Sequence, residues 1–165
     1  MQHSRNFSKF YENERAFFNS NAAVRLIDAK NELKKLGYGI IIYDAYRPWF
    51  VTKMFWEGTP ENLKHFVANP ENGSSHNKGC AIDIGLYDIK TGESIVMISG
   101  YDEFTERAFP NYMGGSKKQR DTRDMLIQVM ERNDFTVYEY EWWHFNYNKC
   151  DSGIMNYSFS ELDSL

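Results

Sequence analysis

Cysteine and proline are both scarce in this sequence, and each scarcity excludes something. The 165 residues contain two cysteines, Cys80 and Cys150, which could form one disulfide at most. The chain therefore has no disulfide framework of the kind that small secreted domains need, and a reducing compartment is permitted. The four prolines do not combine with glycine or serine into a linker that would divide the chain. We expect a single domain over residues 1–165.

Long hydrophobic runs and an excess of positive charge are also missing. No run of about 18 apolar residues occurs, and the first residues lack the apolar core of a signal peptide. We therefore expect a cytoplasmic protein that does not enter a membrane. The net charge of −4 argues against a nucleic-acid partner, which would require a cationic surface.

The chain does contain a clear succession of helix and strand patterns. Apolar residues at three- and four-residue steps predict a helix over residues 22–36, with Ser20 or Asn21 as its cap. The apolar run at residues 38–43 predicts a buried central strand. Pro48 is expected to open a second helix whose buried face consists of Trp49, Phe50, Met54 and Phe55. The remaining predicted segments are a short helix at 59–67, strands at 80–86 and 94–97, a loop at 101–115, a helix at 118–133, and strands at 135–138 and 142–147. This order predicts an α+β fold with a central, mostly antiparallel sheet packed by helices.

Two polar clusters are the candidates for chemistry. In S-S-H-N-K-G-C-A-I-D, His76 follows a turn-rich segment, and Asp83 lies on the strand that begins near Cys80. In E-W-W-H, Glu141 precedes His144 by three residues. Two histidines and one acid are a typical ligand set for catalytic zinc, and the remaining acid could then carry a proton.

Each of these residues also has a structural interpretation. A buried Asp83 is costly unless it is paired or metal-bound, so a salt bridge would serve as well as an ion. Residues three apart on a regular strand point to opposite faces, so Glu141 and His144 reach one site only at a strand entrance or a bulge. Glu139 competes with Glu141 for the role of acid, and Arg47 could stabilise an oxyanion or pair with Asp44.

Three remaining side chains are assigned structural roles. His65 lies in a polar predicted helix and is expected to be exposed, and His3 lies in a segment without a clear period. Cys80 could be a soft zinc ligand, but strand alternation places it opposite Asp83, which favours a small core residue.

Three motifs in fixed order resemble a known family. D-A-Y-R-P at residues 44–48, S-S-H-N-K-G-C-A-I-D at 74–83 and E-W-W-H at 141–144 are similar to the motifs of the zinc-dependent D-alanyl-D-alanine dipeptidases, the VanX-like group of the D,D-peptidases. The similarity extends over about residues 22–157. The doubled tryptophan and the adjoining serines favour the dipeptidase branch.

The resemblance implies a function and a set of roles. It implies hydrolysis of D-alanyl-D-alanine to free D-alanine by zinc-activated water, with the zinc site at the sheet. Glu141 is similar to the family's general base, and Arg47 to the arginine that steadies the tetrahedral intermediate. Ser74 and Asp102 fall where the family holds the dipeptide and its ammonium group. The implied ligands of one Zn²⁺ per chain are His76, Asp83 and His144.

The sequence also departs from the family pattern. Its N-F motif stands at Asn6-Phe7, so residues 1–20 form a shortened N-terminal segment in which Tyr11 is a weak candidate contact. The segment after Glu106 lacks a histidine that relatives often carry. Two alternatives therefore stay open: a D,D-carboxypeptidase or peptidoglycan endopeptidase with the same centre, or a catalytically impaired metal-binding relative.

Overall fold

A four-stranded antiparallel sheet forms the centre of the structure, a computed structural model that describes residues 15–164. The strands are β1 (Tyr38–Asp44), β2 (Ala81–Asp88), β3 (Phe135–Tyr138) and β4 (Glu141–Tyr147), in the spatial order β1-β2-β4-β3. The helices are α1 (Ser20–Lys35), α2 (Trp49–Gly58), α3 (Lys117–Arg132) and the short α4 (Phe159–Leu162). The prediction of a single α+β domain with an antiparallel sheet is confirmed.

The two faces of the sheet differ in character. Ile82 of β2 and Phe145 of β4 are paired in register and belong to one buried apolar cluster. Leu33 of α1 and Leu126 of α3 belong to the same cluster, so these helices cover this face. Because side chains alternate along a strand, the neighbouring pair, Asp83 and His144, points to the opposite face. The apolar core therefore supports the strands from behind while their polar residues meet in front.

Helix α1 was predicted correctly in extent but not in every detail. Its cap is Asn19, whose side chain accepts hydrogen bonds from the backbone N–H groups of Asn21 and Ala22. The cap is thus one residue before the nearer predicted candidate, because the side-chain oxygen must reach the N–H groups two and three positions ahead. Gly37 follows the helix at φ +91°, a left-handed conformation that favours glycine.

Two predictions about buried surfaces were wrong. Strand β1 lies at the edge of the sheet and not at its centre, and Ile42 and Tyr43 are 44% and 39% exposed. In α2 the buried residues are Val51 and Thr52, whereas the predicted Phe50 is 40% exposed. An apolar run does not distinguish an edge strand from a central one, because strand order depends on distant pairings. The predicted strand at residues 94–97 was also wrong, because this segment forms a single bridge, between Ser94 and Tyr87 of β2.

Cys80 and Cys150 form a disulfide, the one pairing that the sequence permitted. Cys80 is 1% exposed, as expected of a core residue, and its carbonyl accepts a hydrogen bond from the backbone N–H of Tyr147. The disulfide therefore joins the start of β2 to the segment that follows β4. No helix in the described part of the chain has the length and apolar character needed to cross a membrane.

Candidate metal centre

Pairing between β1, β2 and β4 brings three polar residues of the sequence motifs side by side. Asp83 of β2 lies opposite Asp44 of β1 on one side and opposite His144 of β4 on the other. A short 3-10 helix, Ser75–Lys78, precedes β2 and carries the buried His76 to the same place. The three predicted ligands His76, Asp83 and His144 thus form one group from three separate stretches of chain.

The facing atoms of this group lie within contact distance of one another. Nε2 of His76 is 3.2 Å from Nδ1 of His144 and 3.3 Å from Oδ1 of Asp83. Nδ1 of His144 is 3.0 Å from the same Oδ1. Tetrahedral zinc with bonds of about 2.0–2.1 Å separates its ligand atoms by about 3.3 Å. The spacing therefore fits three ligands on one zinc ion.

Hydrogen bonds on the far side of each ring determine where the lone pairs point. Nδ1 of His76 lies 2.7 Å from the carbonyl oxygen of Ala45, so this nitrogen carries the proton and donates it. Nε2 of His144 lies 3.2 Å from Oδ1 of Asn146 and donates in the same way. In the neutral rings, Nε2 of His76 and Nδ1 of His144 are then acceptors. Such second partners are characteristic of metal-binding histidines.

The carboxylate of Asp83 completes a cluster of acceptors. Among the described residues, its Oδ1 is a buried side-chain oxygen without a well-formed hydrogen bond. Burial opposes ionisation of Asp83, but positive charge on His76 and His144, when these rings are protonated, outweighs burial and holds the pKa of Asp83 below its usual value. Two nitrogen lone pairs and one carboxylate oxygen that share a buried point repel each other unless a cation or proton lies between them. The donor set therefore fits a divalent cation.

Glu141 lies beside this cluster because β4 is irregular at its start. Glu141 is the first residue of β4, and the register against β3 shifts between Val137 and Tyr138. This is the strand entrance and irregularity that the E-x-x-H spacing required. Oε2 of Glu141 lies 3.8 Å from Nδ1 of His144. The competing Glu139 is exposed in the turn before the strand, so the structure favours Glu141 as the acid near the group.

The surroundings of Glu141 favour its neutral form. Burial is the largest influence and raises the pKa of Glu141 to about 7. The positive charge of Arg47, and that of His144 when its ring is protonated, act against this shift, while the negative charges of Asp83 and Asp102 add to it. A carboxyl group with a pKa near neutrality can both accept and return a proton.

Arg47 forms the pairing with Asp44 that its sequence position allowed, and its role in stabilising an oxyanion stays a prediction. Its Nε donates to Oδ2 of Asp44 at 2.8 Å, and Nη2 contacts the same oxygen. Burial opposes the charge of Arg47, but Asp44 and Asp83 outweigh it and raise the pKa. The guanidinium therefore stays charged, is anchored by Asp44, and influences the ionisation of Glu141.

Ser74 and Asp102 have structural features of their own. The hydroxyl oxygen of Ser74 accepts from the N–H of His76, and its N–H bonds to Oδ1 of Asn77, which forms a capping box on the 3-10 helix. Asp102 has φ 57°, an uncommon left-handed conformation for a residue other than glycine. Its charge raises the pKa of Glu141, although burial is the larger cause. The predicted contacts of Ser74 and Asp102 with a substrate stay predictions, and Tyr11 and His3 lie outside the described residues.

Two residues near the centre were missed in the sequence. Tyr101 donates from its hydroxyl to Oδ2 of Asp83 at 3.1 Å, and burial raises the pKa of Tyr101 well above its usual value, so it stays a donor. Asn146 contacts His144. Strand alternation could have indicated Asn146, because it lies two positions after His144 on the same strand. Tyr101 had no comparable signal, since it lies in an irregular loop.

Known proteins are similar to this sequence along most of its length. The sequence model of a peptidase family, described as D-ala-D-ala dipeptidase, matches residues 4–163. A D-alanyl-D-alanine dipeptidase of Enterococcus faecalis is 31% identical over 154 residues, which cover 82% of this chain and 75% of that protein. One from Enterococcus faecium is 33% identical over 154 residues, with the same two coverages.

The fold also resembles that of a solved carboxypeptidase. The structure of the LdcB LD-carboxypeptidase, described for its peptidoglycan recognition, matches with a TM-score of 0.55 and 21% sequence identity. The match covers 84% of this chain and 64% of that one, and it concerns the fold alone. Since the family model spans nearly the whole sequence, and both dipeptidases exceed 30% identity, the chain belongs to the D-ala-D-ala dipeptidase family of peptidases.

Proposed function

We propose that this chain is a zinc-dependent dipeptidase that hydrolyses D-alanyl-D-alanine to free D-alanine. The observation that carries the proposal is the convergence of Nε2 of His76, Nδ1 of His144 and Oδ1 of Asp83 on one buried point. We assign these atoms as the ligands of one Zn²⁺. The proposed unit is one domain over residues 1–165, with a small D,D-dipeptide as substrate.

Each remaining polar group has a defined part in the proposed reaction. When bound, zinc would supply a Lewis acid for the scissile carbonyl and would lower the pKa of a water molecule. Glu141, with its pKa raised to about 7 by burial, would take a proton from the attacking water and pass it to the leaving amine. Arg47, fixed by Asp44, would stabilise the oxygen that becomes negative in the tetrahedral intermediate.

The free ammonium group of a dipeptide needs a negative partner near the centre. Asp102 is the proposed partner, because its charge acts on the ionisation of Glu141 and Asp102 therefore lies near the same region. Ser74 is proposed to contact the dipeptide beside His76. A dipeptidase built in this way requires the ammonium group, whereas a carboxypeptidase or endopeptidase accepts a substrate whose amine is acylated.

The proposal is tested by combining metal content with product release. We expect the purified chain to hold one zinc and to release D-alanine from free D-alanyl-D-alanine but not from its N-acetylated form. Glu141→Gln should keep the metal and lose activity by a factor of about 100 to 10,000, which is the usual contribution of a general base. His144→Ala should lose the metal.

A matched control is available two residues before Glu141. Glu139 is exposed in the same region, so Glu139→Gln should leave both metal content and turnover unchanged. Full activity in Glu141→Gln would refute the assigned base. Cleavage of the acylated substrate alone would replace the dipeptidase with a carboxypeptidase or endopeptidase, and one bound zinc without any hydrolysis would identify an impaired relative.

We propose that the protein is cytoplasmic, as the sequence predicted, and the redox state of the two cysteines tests this location directly. Disulfides are rare in a reducing cytoplasm, so Cys80 and Cys150 should be thiols there and paired in an oxidising compartment. The cytoplasmic location predicted from the sequence therefore requires free thiols in the cell. Acid quenching of intact cells, followed by alkylation and mass measurement of the protein, would count them.

A further inference from the structure

The carboxylate of Asp83 has two oxygens with different environments. Oδ1 faces the two histidine nitrogens at 3.3 and 3.0 Å. Oδ2 accepts a hydrogen bond from the hydroxyl of Tyr101 at 3.1 Å. A carboxylate can bind a metal through one oxygen or through both, and a donor on one oxygen favours binding through the other.

The ring of Tyr101 packs against two other aromatic rings, which restricts the position of its hydroxyl. The ring of Tyr43 stacks on it with centroids 4.4 Å apart, and the ring of Trp143 meets it edge to face at 5.6 Å. Tyr43 lies over Gly85, where an added Cβ would come within 2.3 Å of the Tyr43 hydroxyl. The absence of a side chain at Gly85 therefore allows Tyr43 to lie against the sheet and support Tyr101.

The loop before Tyr101 is also anchored. Nε2 of Gln119, on helix α3, donates to the carbonyl oxygen of Met97 at 2.9 Å. The indole N–H of Trp142 donates to the hydroxyl of Ser99 at 2.8 Å in a buried contact. With its backbone anchored and its ring packed, Tyr101 has little freedom to move its hydroxyl away from Asp83.

We propose that Tyr101 is a positioning residue of the metal centre, which holds Oδ2 of Asp83 so that Oδ1 alone binds the ion. This inference rests on the metal site of the proposed function. It assigns a role to a tyrosine that lies outside the three sequence motifs. Without the hydroxyl, the carboxylate could rotate and present both oxygens, which would change the coordination number and weaken the site.

The test is metal binding by the full chain, measured apart from activity. Wild type, Tyr101→Phe and Tyr87→Phe are stripped of metal and titrated with Zn²⁺ against a chromogenic chelator. Tyr87 is the matched control, because it lies on the same strand as Asp83 and its ring also packs over a glycine, Gly39. We expect Tyr101→Phe to bind zinc about 10- to 100-fold more weakly and Tyr87→Phe to bind like wild type.

A spectroscopic measurement separates positioning from a general loss of structure. Co²⁺ in place of zinc reports coordination geometry, so Tyr101→Phe should shift the visible absorption bands, while thermal unfolding of the metal-free protein stays close to wild type. Unchanged zinc affinity together with an unchanged cobalt spectrum would overturn the inference. If Tyr101→Phe does not fold, the Tyr43→Leu variant provides the test. This substitution removes the ring that supports Tyr101, at a partly exposed position on the edge strand. Wild-type zinc affinity of the Tyr43→Leu variant would then overturn the proposal.

Failure of this inference is distinguishable from failure of the proposed function. A wild-type chain that binds zinc without cleaving the dipeptide would remove the proposed reaction, yet a weakened Tyr101→Phe would still support the positioning role. A fully active enzyme whose Tyr101→Phe variant binds zinc like wild type would keep the reaction and remove the role of Tyr101.

Discussion

Each histidine of the centre presents one particular nitrogen, because its other nitrogen is already occupied. His76 uses Nδ1 to donate to a backbone carbonyl, that of Ala45, and this partner cannot be removed by substitution. His144 uses Nε2 to donate to the side chain of Asn146. The orientation of His144 therefore depends on a replaceable residue, which makes Asn146 the more informative position to change.

Replacing Asn146 with alanine should weaken metal binding. The ring of His144 would lose the acceptor that selects its tautomer, and loss of such partners typically lowers metal affinity about 10- to 100-fold. Chelator competition measures the change. Asn148→Ala is the control, since Asn148 is exposed and pairs with Thr136. Equal zinc affinities of the Asn146→Ala and Asn148→Ala variants would contradict the prediction.

Ionisation of Glu141 should destabilise the metal-free protein as the pH rises from 4.5 to about 7. Burial raises its pKa from 4.5 to about 7, so the folded chain binds this proton more tightly than the unfolded chain. Stability contributed by the protonated group is therefore present at low pH and falls as the pH rises between those two values. Because Gln cannot ionise, Glu141→Gln should gain stability relative to wild type, by at most about 3 kcal/mol above pH 7.

Urea unfolding of the metal-free proteins at about pH 5 and about pH 8.5 tests this sign. The difference in unfolding free energy between Glu141→Gln and wild type should be larger at the higher pH. Glu139→Gln, at an exposed position, should show no such dependence. A difference that is the same at both pH values would mean that Glu141 is not desolvated in the fold.

At the scale of elements, the short 3-10 helix Ser75–Lys78 connects the metal-binding group to the segment that carries Arg47. The carbonyl of His76 accepts from the N–H of Arg47, and the side chain of Asn77 donates to the carbonyl of Arg47 at 2.7 Å. Asn77 also donates to the hydroxyl of Thr52 on α2. A four-residue turn thus positions the first histidine and the arginine relative to each other.

Ser74→Ala should destabilise this turn. Loss of the hydroxyl that caps the N–H of His76 should cost about 1 kcal/mol of unfolding free energy and should weaken zinc binding, because His76 is the second residue of the turn. Denaturant unfolding and chelator titration measure the two effects. Ser116→Ala removes the equivalent capping box of α3, so it should lower stability similarly and leave zinc affinity unchanged. An increase in KM for the dipeptide with unchanged stability would instead favour the substrate contact that the family resemblance implies.

At the scale of the whole molecule, the chain after β4 returns to the site. The disulfide joins this segment to the start of β2. Further along, the N–H of Met155 donates to the carbonyl of Asn77, and the carbonyl of Met155 accepts from the N–H of Trp49. The C-terminal segment therefore lies against both the 3-10 helix and α2, and the disulfide holds its beginning.

Removal of the disulfide should destabilise the protein substantially. The two cysteines are 70 residues apart, and closing a loop of that length restricts the unfolded chain by about 4 kcal/mol. The paired substitution Cys80→Ser with Cys150→Ser should lower the free energy of unfolding by a few kcal/mol. Thermal unfolding with and without a thiol reductant is the measurement. Wild type should respond to the reductant and the double variant should not; equal responses would show that the bond does not form in solution.

The local periods in the sequence were sufficient for most of the elements. Helices α1 and α3 and strands β2 to β4 were predicted within a few residues, because amphipathic spacing and strand alternation depend on neighbours along the chain. The α+β class followed from their order. The edge position of β1 and the exposure of Phe50 were not predictable in this way, since both depend on which distant surfaces cover a segment.

For the site, three ordered motifs were sufficient to identify the family and the residues to be tested as ligands and base. How these residues meet could be seen only in the folded chain: the facing lone pairs of His76 and His144, the position of Glu141 at an irregular strand start, and the hydrogen bond from the Tyr101 hydroxyl to Asp83. The physical reason is that a motif specifies chemical groups along a chain, whereas coordination depends on distances and lone-pair directions between strands that are far apart in sequence.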